Sequence, residues 1–289
     1  MPASHDPSPA TALPDRHVSA ARVLAVRGAT VEERPDSLAG EEPMEIRAAG
    51  PGQPPVSVAV TMRTPGSEAE LAVGFLRTEG LIASVDEIEG VEVGDPAALA
   101  QPDDVVLVRL RHPFDASLVA ERHFVATASC GICGKASIDE VAVRSDPLPP
   151  GRPVVDRAVL IALPDRLREA QRAFATTGGL HASGLFTPAG ELVTLREDVG
   201  RHNALDKLVG AELLAGRLPI HDRVLLVSGR VSFEIVQKAA VAGIAFLAAI
   251  SAPSDLAVEA AGRLGLTLVG FLRGDGFNVY TGRERIAGL

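Results

Sequence analysis

Val224-Leu225-Leu226-Val227-Ser228-Gly229-Arg230-Val231-Ser232-Phe233-Glu234-Ile235-Val236-Gln237-Lys238-Ala239-Ala240-Val241-Ala242-Gly243-Ile244-Ala245-Phe246-Leu247-Ala248-Ala249-Ile250 reads as strand, loop, helix, strand. Four apolar residues without a polar face at 224–227 suit a strand covered on both sides. Ser232 stands where a helix N-cap belongs, and Gly243 breaks the helix Phe233–Ala242 before the strand Ile244–Ile250. The alternation continues with helix Leu256–Leu264 and strand Thr267–Leu272. Working backwards, helix Gly200–Leu214 follows two strands joined by Pro188-Ala189-Gly190, and a helix over Leu160–Phe174 precedes them. This pattern predicts an α/β fold: a layered sheet with helices on its faces and functional loops at the strand ends.

The N-terminal half reads differently. Strand-like stretches at Val18–Val26, Met44–Arg47 and Val56–Arg63 make a smaller β-rich part. Ser67 reads as the N-cap of one helix, with Leu71, Phe75 and Leu76 on its apolar face and Gly80 as its stop. Val105–Leu110 and Val119–Ala126 read as a strand pair, the second running into a loop at Ser129–Gly134 and a short helix over Lys135–Val143. Residues 1–17, rich in proline, read as a disordered tail. The run Pro147–Pro153 reads as a linker or long surface connection, dividing 18–150 from 151–289 unless the two are one continuous domain.

Composition narrows the function. Hydrophobic residues make up 46% of the 289, enough for a sizeable core. The net charge of -9 argues against nucleic acid or an anionic membrane as a partner. No secretory leader is evident, and the longest apolar run, Ala239 to Ile250, is too short to span a bilayer. These features predict a cytoplasmic protein without membrane attachment. The Ala-rich stretch Lys238–Gly243 can pack internally or across a homodimer.

Only two cysteines occur, Cys130 and Cys133, three apart in Ser129-Cys130-Gly131-Ile132-Cys133-Gly134-Lys135. Gly131 and Gly134 let the backbone turn and bring amides near sulfur, and Lys135 adds positive charge; both lower a thiol pKa. Such a thiolate can take a second sulfur as a persulfide. An inert pair is the blander alternative. A zinc half-site is the sharper one, but no second CxxC and no His-x(3–5)-His accompany it, and His112, His123, His181, His202 and His221 are widely spaced. A deaminase needs His-x-Glu and a proline before the first cysteine, where this chain has His181-Ala182-Ser183 and Ser129. No metal is therefore expected. Ser129 and Ala136 break a phosphate-loop reading of Gly134-Lys135.

Three further segments place cations at strand-to-helix or strand-end turns. Glu197-Asp198-Val199-Gly200-Arg201-His202-Asn203-Ala204-Leu205-Asp206-Lys207 and Ser228-Gly229-Arg230-Val231-Ser232-Phe233-Glu234 each start a helix, where an anion is favoured. Phe271-Leu272-Arg273-Gly274-Asp275-Gly276 closes a strand in a glycine-rich turn. Capping, exposed charge and a plain surface turn are the structural alternatives for these three.

Together with Thr177-Gly178-Gly179-Leu180-His181, Ser251-Ala252-Pro253-Ser254, Gly270-Phe271-Leu272-Arg273 and Asn278-Val279-Tyr280-Thr281, these segments closely resemble the formate dehydrogenase accessory sulfurtransferase (FdhD) family. The resemblance runs from about Val18 to the C-terminus. It implies a cytidine-deaminase-like fold without the zinc chemistry. It implies an enzyme of the sulfurtransferase class, a sulfur carrier that accepts sulfur from a cysteine desulfurase. The acceptor it implies is the bis-guanine-dinucleotide molybdenum (or tungsten) cofactor, bound as substrate, which formate dehydrogenase needs for activity. Carried over by motif, Cys130 bears the persulfide, Cys133 is its partner, and Phe271 to Gly276 is the cofactor-binding segment. Arg201, His202, Arg230 and Lys238 are the expected further contacts to the cofactor and its guanine nucleotides. A cofactor-holding chaperone without sulfur transfer is the rival reading.

Overall fold

The Val224–Ile250 segment folds as the pattern demands in a computed structural model, which describes residues 17–94, 104–117 and 147–289. The expected strand Val119–Ala126, the Cys130–Cys133 loop and the helix after it lie outside the described residues, as does the tail 1–16.

Two sheets organise the described chain. The first elements are β1 (Val18–Arg27), β2 (Thr30–Ala39), β3 (Glu42–Ala49), β4 (Val56–Arg63), α1 (Glu68–Thr78), β5 (Ile88–Val93) and β6 (Val105–Leu110). β1 and β2 form a separate hairpin, and the others make a four-stranded sheet in the order β4-β3-β6-β5. Alternating residues Met44, Ile46 and Ala48 of β3 pack with Leu71, Phe75 and Leu76 of α1. That period of two against a helical stripe is the pattern of a half-covered sheet.

The second part contains β7 (Val155–Asp156), α2 (Arg157–Ala170), α3 (Arg172–Thr177), β8 (His181–Phe186), β9 (Leu192–Asp198), α4 (Arg201–Leu214), β10 (Val224–Val227), α5 (Phe233–Val241), β11 (Phe246–Ala249), α6 (Asp255–Leu264), β12 (Thr267–Arg273), β13 (Gly276–Thr281) and β14 (Ile286–Ala287). Its six-stranded sheet runs β13-β12-β11-β10-β8-β9, with β10, β11 and β12 parallel and the outer pairs antiparallel. Every residue of β10 and β11 is buried. Leu225, Val227 and Leu247 face α4, α5 and α6, while Val224, Leu226 and Phe246 face Leu160, Leu163 and Leu167 of α2. The mixed α/β class expected from the sequence is thus observed.

Some elements differ from expectation. The helix expected over Leu160–Phe174 is two helices, because Gln171 leaves helical geometry at φ -76, ψ 80. Ser67 does occupy the N-cap of α1, but at φ 59 and without a side-chain capping bond. The Pro147–Pro153 run is a largely exposed connection, as one of the two expected readings had it, and buried Arg285 fastens it by donating to the carbonyls of Pro149 and Arg152 at 3.0 and 3.2 Å.

The two sheets are joined through α1 and α4. A Cβ on Gly74 would lie 1.9 Å from the Asp206 carbonyl oxygen, and one on Gly210 would lie 1.8 Å from that of Glu70. Only glycine at both positions lets the helix backbones approach this closely. Around this contact, Asp198 binds Lys207 Nζ at 2.6 Å and Asp206 binds Lys238 Nζ at 3.0 Å, all four residues buried.

Candidate functional site: an arginine-lined cleft at the strand ends

Three loops meet beyond the carboxyl ends of β10, β11 and β12. Ser228 extends the β10–β8 pairing, donating from its amide to Ala182 O at 3.0 Å and accepting from Ala182 N at 2.9 Å through Oγ. Val231 N donates to Ala252 O and Ser254 N to Val231 O, which fastens the Ser251–Ser254 segment to the Ser228 loop. Phe271 N donates to Ser251 O at 3.1 Å, which brings in the last segment. The motifs separated in sequence therefore form one continuous rim. Ligands of parallel α/β sheets bind at such strand ends.

Phe271 is the unusual residue of this rim. Its φ is 53, a left-handed conformation that costs a bulky side chain of order 1–3 kcal/mol and that clusters at functional sites. The bulge that bears it precedes a two-residue turn, Gly274-Asp275, closed by the pairing of Arg273 with Gly276. Arg273 sits over the Phe271 ring, 5.5 Å from its centroid. Leu272 points the other way and is fully buried in the core, so its side chain does not reach the rim.

Cations gather here. Gly229 lies against the His181 ring and Arg201: a Cβ placed on it would be 3.2 Å from His181 Nδ1 and 3.5 Å from Arg201 Cβ. Burial first, then the positive charges of Arg201 and His202, push the His181 imidazole below its usual range; Asp198 opposes and Arg230 adds to the shift. These surroundings favour the neutral form of the imidazole. His202 Nε2 is held 3.0 Å from Glu234 and 3.3 Å from Ser232 Oγ, linking the starts of α4 and α5. Arg201, Arg230 and Arg273 make no ion pair among the described residues, and Arg201 Nε is buried without a partner. Arginines without carboxylates are ready for bidentate contact with phosphate-type oxyanions.

Lys238 is the exception among the expected anion contacts. It lies beneath the rim, 5% exposed, with Nζ 3.0 Å from Asp206 and from Glu79 and 2.8 Å from Thr78 Oγ1. Burial alone would lower its ammonium, but the Asp206 and Glu79 carboxylates hold it above its ordinary range. Its helix position, five residues into α5, turns it towards α1 instead of the cleft. The same division runs through Glu197–Lys207: Arg201 and His202 face the rim, whereas Asp198, Asn203, Asp206 and Lys207 are buried in the junction of the sheets.

A cavity of about 570 Å³ opens beside the rim, bounded by His181, Ser228, Arg273 and Gly274 on one side. Its other wall is a stripe of α2 and α3, with Asp165, Arg168, Gln171 and Phe174. Sequence reasoning missed this wall. The available signal was the spacing of Asp165, Arg168 and Gln171, which puts three polar residues on one face of a helix otherwise packed by leucines. Among the described residues no cluster of three or more His, Cys, Asp or Glu is placed to hold a metal, and no helix is long and apolar enough to cross a membrane. Cys130 and Cys133 belong to the segment outside the described residues.

Fold and rim together define a mixed α/β protein with an arginine-lined cleft at its strand ends. The sequence model of the FdhD/NarQ family matches residues 39–287, and the chain belongs to that family. It is 50% identical over 273 residues to the sulfur carrier protein FdhD of Streptomyces avermitilis, covering 92% of this chain and 94% of that one. The proteins of that name from Mycobacterium tuberculosis and Sulfurisphaera tokodaii are 47% and 42% identical, each over at least 93% of this chain and 96% of theirs. A crystal structure of a candidate formate dehydrogenase accessory protein from Desulfotalea psychrophila superposes with a TM-score of 0.69 at 24% identity, covering 93% of this chain and 99% of that one. That likeness establishes the shared fold.

Proposed function

We propose that this chain is a sulfur carrier for formate dehydrogenase maturation, acting in the cytoplasm with Cys130 as the persulfide-bearing residue. The molybdenum cofactor with its two guanine dinucleotides is its substrate, and the rim formed by Arg201, Arg230, Arg273 and the Phe271–Gly276 segment receives the cofactor's pyrophosphates. One observation carries the reading: Arg201 and Arg230 stand near His181, Arg273 lines the cavity with His181, and none of the three makes an ion pair among the described residues, while the buried lysines Lys207 and Lys238 are matched by carboxylates. A chain of net charge -9 that leaves arginines unmatched at one place has a local site for an anion. Membership of a family whose relatives are named sulfur carriers supplies the second support.

The chemistry follows from the thiols. The Cys130 thiolate attacks the outer sulfur of a persulfide on a cysteine desulfurase. The donor's S–S bond breaks, its cysteine leaves as thiolate, and the new S–S bond resides on Cys130. Cys133 thiolate then attacks Cys130 Sγ and displaces the outer sulfur as sulfide towards the bound metal. The resulting Cys130–Cys133 disulfide is returned to dithiol by a cellular dithiol reductant. Burial and the nearby arginines disfavour a charged His181, and the neutral imidazole can accept a hydrogen bond at the rim without adding repulsion between cations.

The test is maturation in cells that lack the native carrier. Cys130→Ala should yield inactive formate dehydrogenase while accumulating to the wild-type level with the wild-type melting temperature. Normal formate oxidation with that variant contradicts sulfur carriage and leaves only a role in holding the cofactor.

A further inference from the structure

Phe271 holds a disfavoured backbone conformation inside β12, and the side-chain directions along that strand show what the conformation accomplishes. Val269 and Leu272 both pack in the core that contains Leu160, Leu163 and Leu167 of α2. In a regular strand, residues an odd number of positions apart point to opposite faces. Val269 and Leu272 are three apart, so β12 carries an extra residue between them. Its pairing with β13 locates that residue: Gly270 faces Asn278 and Arg273 faces Gly276, three steps on one strand against two on the other. Such a bulge re-aims the side chains that follow it. Phe271 lies within it at φ 53, its amide anchored to Ser251 O at 3.1 Å. Without the extra residue, Leu272 would leave the core face and Arg273 would take it. With it, Leu272 is fully buried and Arg273 is exposed at the rim.

We propose that Phe271 is a positioning residue for Arg273: the bulge delivers the arginine to the rim, and the ring fixes its guanidinium for an oxyanion. Arg273 Cζ lies 5.5 Å from the ring centroid, within the range of a cation–π contact. A carboxylate would hold an arginine through its N–H donors and so occupy them. An aromatic ring holds the guanidinium by its flat face and leaves the in-plane donors free. An exposed arginine otherwise spreads over many rotamers, and ordering it opposes binding. The ring does part of that ordering before a ligand arrives. This inference rests on the proposed function, because it takes Arg273 as a pyrophosphate contact; it assigns Phe271 to Arg273 and not to the ligand.

Nuclear magnetic resonance of the arginine Nε–Hε groups and calorimetric titration with inorganic pyrophosphate, both on the full chain, test it. The signal that vanishes in Arg273→Ala belongs to Arg273, and in the unaltered protein the ring current should displace it from those of other exposed arginines. Arg273→Ala should weaken pyrophosphate by about tenfold. Phe271→Gly keeps the left-handed backbone without strain and removes only the ring. It should return the Arg273 signal to the ordinary position and weaken pyrophosphate by about threefold. Phe271→Tyr should keep both the displaced signal and the affinity. Full affinity in Phe271→Gly, or a loss that Phe271→Tyr shares, overturns the positioning role and leaves the proposed function intact. If Phe271→Gly melts early, the unaltered protein decides, since an undisplaced Arg273 signal overturns the role by itself. Unaltered affinity in Arg273→Ala, or no pyrophosphate binding by the unaltered protein, removes both.

Discussion

The junction between the two sheets and the rim at the strand ends draw on the same stretch of chain with opposite results. In Glu197–Lys207, Asp198, Asn203, Asp206 and Lys207 are buried and engaged between α1, α4 and α5, whereas Arg201 and His202 are half-buried beside the loops that follow β10. Charge type does not separate the two regions. What separates them is whether a cation meets a carboxylate at hydrogen-bonding distance in a site closed to water. Lys238 does, and is structural; among the described residues Arg201, Arg230 and Arg273 do not.

If that division is right, substitutions should divide as well. Lys238→Ala takes its counter-charge from the fully buried Asp206 and should cost about 3–5 kcal/mol in urea unfolding. Replacing Lys238 and Asp206 together by Met and Leu should cost clearly less, since the buried Lys238–Asp206 pair is then removed whole. A single variant near the wild-type midpoint would place Lys238 outside the junction. Gly210→Ala forces a methyl against the Glu70 carbonyl and should cost about 3 kcal/mol with no specific effect on anion affinity at temperatures where it is folded. Equal stability would mean that the helices do not approach this closely.

Arg230→Ala lies on the other side of the comparison. It should change stability by less than about 0.5 kcal/mol and weaken pyrophosphate binding by about tenfold, an effect that shrinks as salt rises. Lost stability with unaltered binding would reverse its assignment. The smallest expected effect concerns pH. Because the folded protein holds the His181 pKa below its ordinary value, the unfolded chain binds the extra proton more readily. Stability from this group is complete above about pH 6.5 and is lost as pH falls below it. His181→Asn should flatten that part of the stability profile, and an unchanged slope would assign it to another group.

The parallel core was legible because β10, β11 and the helices between them obey one rule at a time: continuous apolar strands, one apolar helix face, a glycine at the break. β2 was not legible, since Glu32, Glu33, Arg34 and Pro35 give no alternation and their strand is defined by its pairing with β1. The same held for β13, whose Gly276-Phe277-Asn278 start looks like the end of a turn until it pairs with β12. At the site, the arginine-bearing turns could be read from helix starts and glycine-rich loops. That Lys238 would be consumed by Asp206 and Glu79 could not, because the contacts bridge 32 and 159 residues of sequence. The Arg168–Phe174 contact in the cavity wall was hidden for the related reason that Gln171 bends the chain between them.

Mass spectrometry of the full chain after incubation with a cysteine desulfurase and free cysteine tests the central claim most directly. The account predicts a gain of one sulfur atom, mapped to the peptide containing Cys130, removed by dithiol treatment and absent from Cys130→Ala. An unmodified Cys130 under conditions in which the desulfurase itself carries persulfide would contradict it.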